Sequence, residues 1–134
     1  MYLLDTNILS ELVKKNPNNN LMIRLESIPS ASLYTASICV MELRCGVLRR
    51  GNPSDLWSKI EKSILSKVQI LNFYYKDALK AAEVLSELHS IGQPVGIEDI
   101  MIGSIALSNG LVIVSANTKH FSRIPDLKLE NWLL

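Results

Sequence analysis

The sequence is poor in the features that mark disulfide-rich, membrane-spanning or secreted proteins. Its only two cysteines, Cys39 and Cys45, lie six residues apart, a spacing that matches neither a zinc signature nor a disulfide framework. We expect both thiols to be small buried side chains in a reducing compartment. No apolar run approaches the roughly 18 residues needed to cross a bilayer. The first residues, MYLLDTN, contain an acid at position 5 and no basic stretch ahead of an apolar one, so a secretion signal is not expected. We therefore expect a cytoplasmic protein with no membrane contact.

A strong net charge is also absent. Fourteen lysines and arginines stand against 13 aspartates and glutamates, which gives a net charge of +1. A dedicated nucleic-acid-binding domain is usually clearly basic, so any contact with nucleic acid requires a local patch. The apolar fraction of 48% is enough for a core and for an apolar contact surface. No repeat, low-complexity tract or linker divides the 134 residues, and we expect a single domain over 1–134.

Short apolar segments alternate with helical patterns along the chain. The predicted strands cover residues 2–4, 33–36, 68–73, 111–114 and 127–130. The fourth is an unbroken apolar run, typical of a parallel strand covered on both faces, and the fifth alternates like an edge strand. Pro17 and Pro53 are placed to open the second and fourth helices, and Ser37 to cap the third. This pattern predicts an α/β fold: a three-layer domain with a central, mainly parallel sheet of four to five strands flanked by helices.

Three acids and one amide stand where strands end or helices begin. Asp5 and Asn117 follow strands, Glu42 lies early in the helix after the second strand, and Asp99 opens a helix. In a parallel α/β sheet the functional site lies at the carboxyl ends of the strands. None of the acids has an evident basic partner in the neighbouring sequence. Charges in apolar surroundings usually find a counter-charge or a metal, so the sequence predicts a shared acidic pocket.

Each of these residues has an ordinary structural interpretation when it is taken alone. Asp5 suits a helix cap, Asp99 suits the positive end of a helix dipole, and Asn117 is a common loop residue. His120 is interpreted as a solvated loop residue, with a phosphate contact as the alternative. Together the acids are harder to dismiss, because two carboxylates 4 Å apart repel by about 4 kcal/mol at an effective dielectric near 20. A bound hard divalent cation such as Mg²⁺ or Mn²⁺ is the simplest way to neutralise these carboxylates.

Five motifs in order resemble those of PIN-domain ribonucleases, specifically the VapC-type toxins of toxin–antitoxin systems. The chain opens with Leu4-Asp5-Thr6-Asn7, continues with Met41-Glu42-Leu43 followed by Gly46, and reaches Asp99-Ile100-Met101-Ile102-Gly103. The fourth motif is Val114-Ser115-Ala116-Asn117-Thr118, and the chain ends in Leu129-Glu130-Asn131-Trp132. The resemblance covers almost the full length. Any one of these motifs is weak, but five in order are highly specific.

The resemblance implies a PIN-like domain that acts as a Mg²⁺- or Mn²⁺-dependent endoribonuclease toxin. Asp5, Glu42 and Asp99 would be the metal ligands, and a metal-activated water would hydrolyse phosphodiester bonds of tRNA or other structured RNA. Asn117 stands where relatives carry Asp or Asn, and because an amide is a weaker ligand it is assigned a supporting catalytic role. The family further implies a homodimer and a cognate VapB-like antitoxin as partner.

Two other functions remain open from the residues alone. The first is a PIN-like module that binds RNA or a protein without cutting it, which Asn117 and the near-neutral charge both allow. The second is a phosphate-accepting signalling domain, which also places acids at the edge of an α/β sheet. That class normally has paired acids directly after the first strand, whereas Asp5 is followed by Thr6 and Asn7. Retained full activity on replacing Asp5 or Asp99 would remove these residues from any mechanism.

Overall fold

A five-stranded, all-parallel sheet forms the centre of the computed structural model, which describes residues 1–134. The strands are β1 (Tyr2–Leu4), β2 (Leu33–Ala36), β3 (Gln69–Leu71), β4 (Val112–Val114) and β5 (Leu129–Glu130). Their order across the sheet is β3-β2-β1-β4-β5, so β1 pairs with β2 on one side and with β4 on the other. This confirms the predicted α/β class with a central parallel sheet.

Seven helices connect and flank the strands. They are α1 (Thr6–Val13), α2 (Asn19–Glu26), α3 (Ser37–Arg49), α4 (Leu56–Ser63), α5 (Tyr75–Ser90), α6 (Ile97–Asn109) and α7 (Thr118–Phe121). Single 3-10 turns precede β2 at Ser30–Ser32 and β3 at Leu65–Lys67. No helix is both long and apolar enough to cross a membrane.

Several helix ends differ from the sequence expectations. Pro17 does not open α2: the side chain of Asn18 accepts a hydrogen bond from the Leu21 N–H at 3.1 Å, so the helix begins one residue after Asn18. Pro53 likewise lies ahead of α4, whose N-cap is Asp55 in the left-handed region at φ 63°. Ser37 is the first helical residue of α3 and not its cap. The four-residue α7 was not predicted, because so short a segment has no apolar period to detect.

Strands β1 and β4 are deeply buried in the core. Leu3, Ile113 and Val114 are fully buried and Leu4 nearly so, because helices cover both faces of the sheet. The expectation of two buried thiols was half wrong: Cys39 on α3 is buried, but Cys45 on the same helix is exposed. The two are six residues apart, which places them on different faces of a helix with 3.6 residues per turn.

The topology brings the carboxyl ends of neighbouring strands to one edge of the sheet. The backbone N–H of Asp5, directly after β1, donates to the carbonyl of Val114, the last residue of β4. The end of β2 leads directly into α3, which carries Glu42. Asp5, Glu42 and the residues after β4 are therefore held together by the central pairing of the sheet.

Candidate functional site

An open, polar cavity of about 490 Å³ lies at this edge of the sheet. Nine of its ten lining residues are polar or charged, and the four polar residues singled out from the sequence are all among them. The lining consists of Asp5, Thr6, Asn7, Ser10, Glu11, Lys14, Glu42, Asp99, Asn117 and Leu133. The structure thus gathers residues from α1, α3, α6 and the loop after β4 into one site.

The carboxylate of Asp5 is fixed at its Oδ2 atom. Ser115 Oγ donates to that oxygen at 2.7 Å, and the side-chain amide of Asn7 donates to it at 3.2 Å. Ser115 Oγ in turn accepts the backbone N–H of Asn117 at 2.9 Å, so one hydroxyl orders the loop after β4 and also bonds Asp5 after β1. The only side-chain donor on the Oδ1 side is the thiol of Cys39, with Sγ 3.8 Å away. Asp5 is 4% exposed, so its orientation is set by the protein and not by solvent.

Glu42 is oriented by the first turn of α1. The hydroxyl of Thr6 donates to Glu42 Oε1 at 2.7 Å, while Oε2 accepts no hydrogen bond from the chain. The sequence placed Glu42 among apolar neighbours on α3, and the structure shows that its polar partner comes from 36 residues away. That contact could not be seen in the local sequence.

Asp99 shares one of its oxygens with two side chains from the loop after β4 and from α7. Asn117 Nδ2 donates to Asp99 Oδ2 at 3.3 Å, and His120 Nδ1 lies 3.3 Å from the same oxygen. A carboxylate only accepts hydrogen bonds, so a proton on His120 Nδ1 would point at Asp99. Asp99 therefore does have a basic neighbour, although the sequence suggested none, and His120 is more than a solvated loop residue.

The acids act electrostatically on one another. One oxygen of Asp5, one of Glu42 and the Sγ of Cys39 lie within 4.8 Å of one another, whereas Asp99 stands outside this close group. Burial raises the pKa of Asp5, and the charge of Asp99 raises it further. Burial likewise raises the pKa of Glu42, with further contributions from Asp5 and Asp99. No lysine or arginine forms an ion pair with any of the three.

The donor set fits a hard divalent cation. Three carboxylates and an amide offer oxygen ligands, which Mg²⁺ and Mn²⁺ prefer. Glu42 Oε2 and Asp99 Oδ1 accept no hydrogen bond, and Asp5 Oδ1 faces only the weak thiol donor of Cys39. Mg²⁺ is commonly held by one or two carboxylates together with retained water. Asp5 and Glu42 have oxygens within 4.8 Å of each other, and Asp99 lines the same cavity. A bound cation would also remove the repulsion that contributes to both raised pKa values.

Two further residues of the site were assigned no role there from the sequence, although Asn7 belongs to the first motif. Asn7 bonds Asp5, Ser115 and the backbone N–H of Ala116, so it links the start of α1 to the loop after β4, more than 100 residues away in the chain. Leu133 is the single apolar residue of the cavity, and its carbonyl accepts a hydrogen bond from the Asn18 side chain at 3.0 Å. Glu98, beside Asp99, is exposed and lies outside the cavity lining.

Comparison with known proteins identifies similar chains over nearly the whole length. A family model described as PIN domain matches residues 2–127. Ribonuclease VapC2 of Rickettsia felis is 33% identical over 135 residues, covering 98% of each chain. The tRNA(fMet)-specific endonuclease VapC of Salmonella typhimurium is 31% identical over 132 residues, covering 98% of this chain and 97% of the relative.

A solved structure shares the same architecture. The crystal structure of VapBC2 from Rickettsia felis, bound to a DNA fragment from their promoter, contains a chain that superposes with a TM-score of 0.88. That chain is 32% identical in sequence, and the match covers 98% of both chains. The likeness therefore extends over nearly the whole fold.

Proposed function

This chain belongs to the PIN-domain family, and from that premise we propose that it is a metal-dependent endoribonuclease and the toxin of a toxin–antitoxin pair. The observation that carries the proposal is the cavity in which Asp5, Glu42 and Asp99 converge with no lysine or arginine to neutralise them. Its relatives named as ribonucleases and endonucleases of the VapC group support the same activity.

We propose Mg²⁺ or Mn²⁺ as the cofactor, with Asp5, Glu42 and Asp99 as the residues that would hold it. Such an ion supplies a lowered pKa for a coordinated water and neutralises charge that develops on the phosphate oxygens. Asn117 is neutral and bonds Asp99, so we assign it a supporting role in positioning that carboxylate.

The remaining residues of the site orient the acids. Ser115 and Asn7 occupy the Oδ2 side of Asp5, so Oδ1 is the oxygen left for a ligand. Thr6 engages one oxygen of Glu42 and leaves the other free for a ligand. Orientation by such fixed hydrogen bonds is how a site avoids reorganising during the reaction.

The proposed substrate is RNA, with tRNA as the leading class because one relative is named a tRNA-specific endonuclease. The proposed partners are a VapB-like antitoxin, by analogy with the VapBC complex, and a second copy of the chain. Exposed apolar side chains on α3 and α5, such as Met41 and Leu79, are compatible with a homodimer. We also propose the cytoplasm as the place of action, where such an RNA substrate would be met.

The test is incubation of the purified protein with total tRNA in Mg²⁺, in Mn²⁺ and in EDTA. We expect discrete cleavage products with either metal and none in EDTA. Asp99→Asn should abolish cleavage, whereas Asp126→Asn, an exposed acid outside the site, should leave it unchanged. RNA binding without any product at any metal concentration would favour the alternative of a non-cleaving PIN-like module.

A further inference from the structure

The acidic cavity continues into a smaller one between α1 and α3. This second cavity has a volume of about 70 Å³ and shares Ser10 and Glu42 with the first. Its lining comprises Ser10 and Val13 of α1, together with Glu42, Leu43, Gly46, Val47 and Arg50 of α3 and its C-cap. We call this second cavity, with its seven lining residues, the α1–α3 groove. It leads from the acids to Arg50.

Arg50 is a cation without a partner in the fold. Arg24, Arg44 and Arg123 donate to Glu130, Asn52 and the Pro94 carbonyl respectively. Arg49 and Arg50 form no side-chain hydrogen bond and no ion pair, and Arg49 lines neither of the two cavities. The lysine of the large cavity, Lys14, is already paired with Glu11 at 2.9 Å. Arg50 is therefore the one uncommitted positive charge along the groove.

Gly46 lies in the groove between Glu42 and Arg50. A Cβ at this position would meet no heavy atom within 4 Å, and the residue lies inside α3 without a positive φ. Neither close packing nor backbone conformation requires glycine there, although glycine within a helix is destabilising relative to alanine. What the missing side chain does provide is open space in the groove.

We infer that the α1–α3 groove is a binding subsite for the RNA backbone, in which Arg50 binds a phosphate next to the one that is cut. The inference rests on the proposed ribonuclease function, because it takes RNA as the substrate. Arg50 lies eight residues beyond Glu42, which corresponds to about 12 Å along a helix axis. Arg50 is thus offset from the acids along α3, which places it for a neighbouring phosphate and not for the one at the acids.

The charge balance of the site supports this role. Four carboxylates line the large cavity and Lys14 neutralises only Glu11, so a phosphodiester backbone is repelled except where a cation is present. Arg50, which lines the far end of the groove, would supply attraction without adding charge to the metal-binding centre, and the planar fork of an arginine suits phosphate oxygens. Ser10, exposed and shared by both cavities, offers a hydroxyl between the two.

Arg50 also has an ordinary structural interpretation. It is the C-cap residue of α3, where a positive charge complements the helix dipole. That role would affect stability and not RNA affinity. Arg49 provides the matched control, because it carries the same charge at the same helix end but does not line the groove.

The experiment measures RNA affinity in the Asp99→Asn background, in which cleavage is expected to be lost. Binding of a fluorescent tRNA is followed by anisotropy in Mg²⁺ at several salt concentrations. We expect Arg50→Gln to raise Kd about three- to tenfold. The slope of log Kd against log salt concentration should fall by about one, as for one lost phosphate contact. Arg49→Gln should change Kd by less than about twofold.

Gly46→Ala provides the second variant. It should leave the melting temperature equal or higher, because alanine favours the helix, yet raise Kd by narrowing the groove. Three results would each overturn the inference. They are equal RNA affinities of the Arg49→Gln and Arg50→Gln proteins, an unchanged Kd in Gly46→Ala, and no RNA binding by the Asp99→Asn protein itself. Failure of the wild-type chain to cleave would instead count against the proposed function, since binding is measured independently of cleavage.

Discussion

Hydrogen bonds orient the carboxylate of Asp5, whereas burial and a neighbouring acid disfavour its ionised form. Two hydrogen bonds fix its Oδ2, yet burial and the charge of Asp99 raise its pKa. The metal-free protein therefore holds an ionised group at a cost in stability, and a bound cation offsets that cost.

Asp5→Asn should stabilise the metal-free protein while abolishing its response to metal. An amide of the same shape can still accept the bonds from Ser115 and Asn7 through its oxygen, but it carries no charge. We expect the free energy of unfolding to rise by about 1 kcal/mol, or roughly 3–6 °C in melting temperature for a chain of this size. Millimolar Mg²⁺ should raise the melting temperature of the wild type and not of the variant. A less stable variant would contradict this account of the site.

The two cysteines should differ sharply in reactivity. Burial, and then the charge of Asp5, raises the pKa of the Cys39 thiol to about 12, and its side chain is fully buried. At pH 8 only about one molecule in ten thousand would carry that thiolate, whereas Cys45 is exposed. Titration with a thiol reagent should therefore label one cysteine in the native protein and two after unfolding. Cys45→Ser should abolish native labelling and Cys39→Ser should preserve it.

At the scale of elements, α6 depends on a close approach to the segment after α7. A Cβ on Gly103 would lie 2.7 Å from Ile124 Cδ1, the end of a flexible side chain, and 3.6 Å from Leu127 Cδ2. Gly103 has no positive φ, so space and not backbone conformation is what limits this position. The close approach packs α6, whose first turn carries Asp99, against the segment leading to β5.

Gly103→Ala and Ile124→Val should therefore be coupled. Ile124→Val alone should lower the free energy of unfolding by about 1 kcal/mol, because packing contacts are lost. Gly103→Ala alone should be close to neutral, because the gain in helix propensity is offset by displacement of the Ile124 methyl group. When Ile124→Val is already present, Gly103→Ala should stabilise the fold by about 0.5–1 kcal/mol. Denaturant unfolding of the four proteins gives the coupling, and strictly additive effects would show that the contact is unimportant.

The strands and the convergence of the acids on one cavity could be predicted from the sequence because both follow local rules. Asp5 comes directly after an apolar strand, and parallel strands end at one edge. The contacts of Glu42 with Thr6 and of Asp99 with His120 depend on strand order, which no local pattern encodes. The start of α2 was misjudged because Asn18 competes with Pro17 as the opening residue. Which face of α3 is buried also could not be read from its mostly apolar sequence, hence the error at Cys45.

At the scale of the whole molecule, residues 130–133 connect α2 to the sheet and extend to the acidic cavity. Glu130 of β5 accepts from Arg24 at 2.8 Å and from the Trp132 indole at 3.0 Å. Arg24 lies over the Trp132 ring, 5.0 Å from its centroid, and Tyr2 meets the ring edge-on at 4.9 Å. Trp132 is 4% exposed, and the next residue, Leu133, lines the acidic cavity.

Trp132→Ala should consequently destabilise the fold strongly. We expect a loss of about 3–5 kcal/mol from the emptied volume and the lost aromatic contacts. Trp132→Phe, which keeps an aromatic ring but lacks the indole donor, should lose only about 1–2 kcal/mol. Urea unfolding followed by circular dichroism measures both variants. A loss below about 1 kcal/mol for Trp132→Ala would mean that this segment contributes little to stability.

The position of β1 has a consequence for how the protein fails on heating. This strand is bracketed by β2 and β4, and Asp5 continues directly from it. The residue cannot leave its place unless the middle of the sheet comes apart. Heat inactivation should therefore coincide with collapse of the far-ultraviolet dichroism signal, with no temperature interval in which a folded but inactive form accumulates.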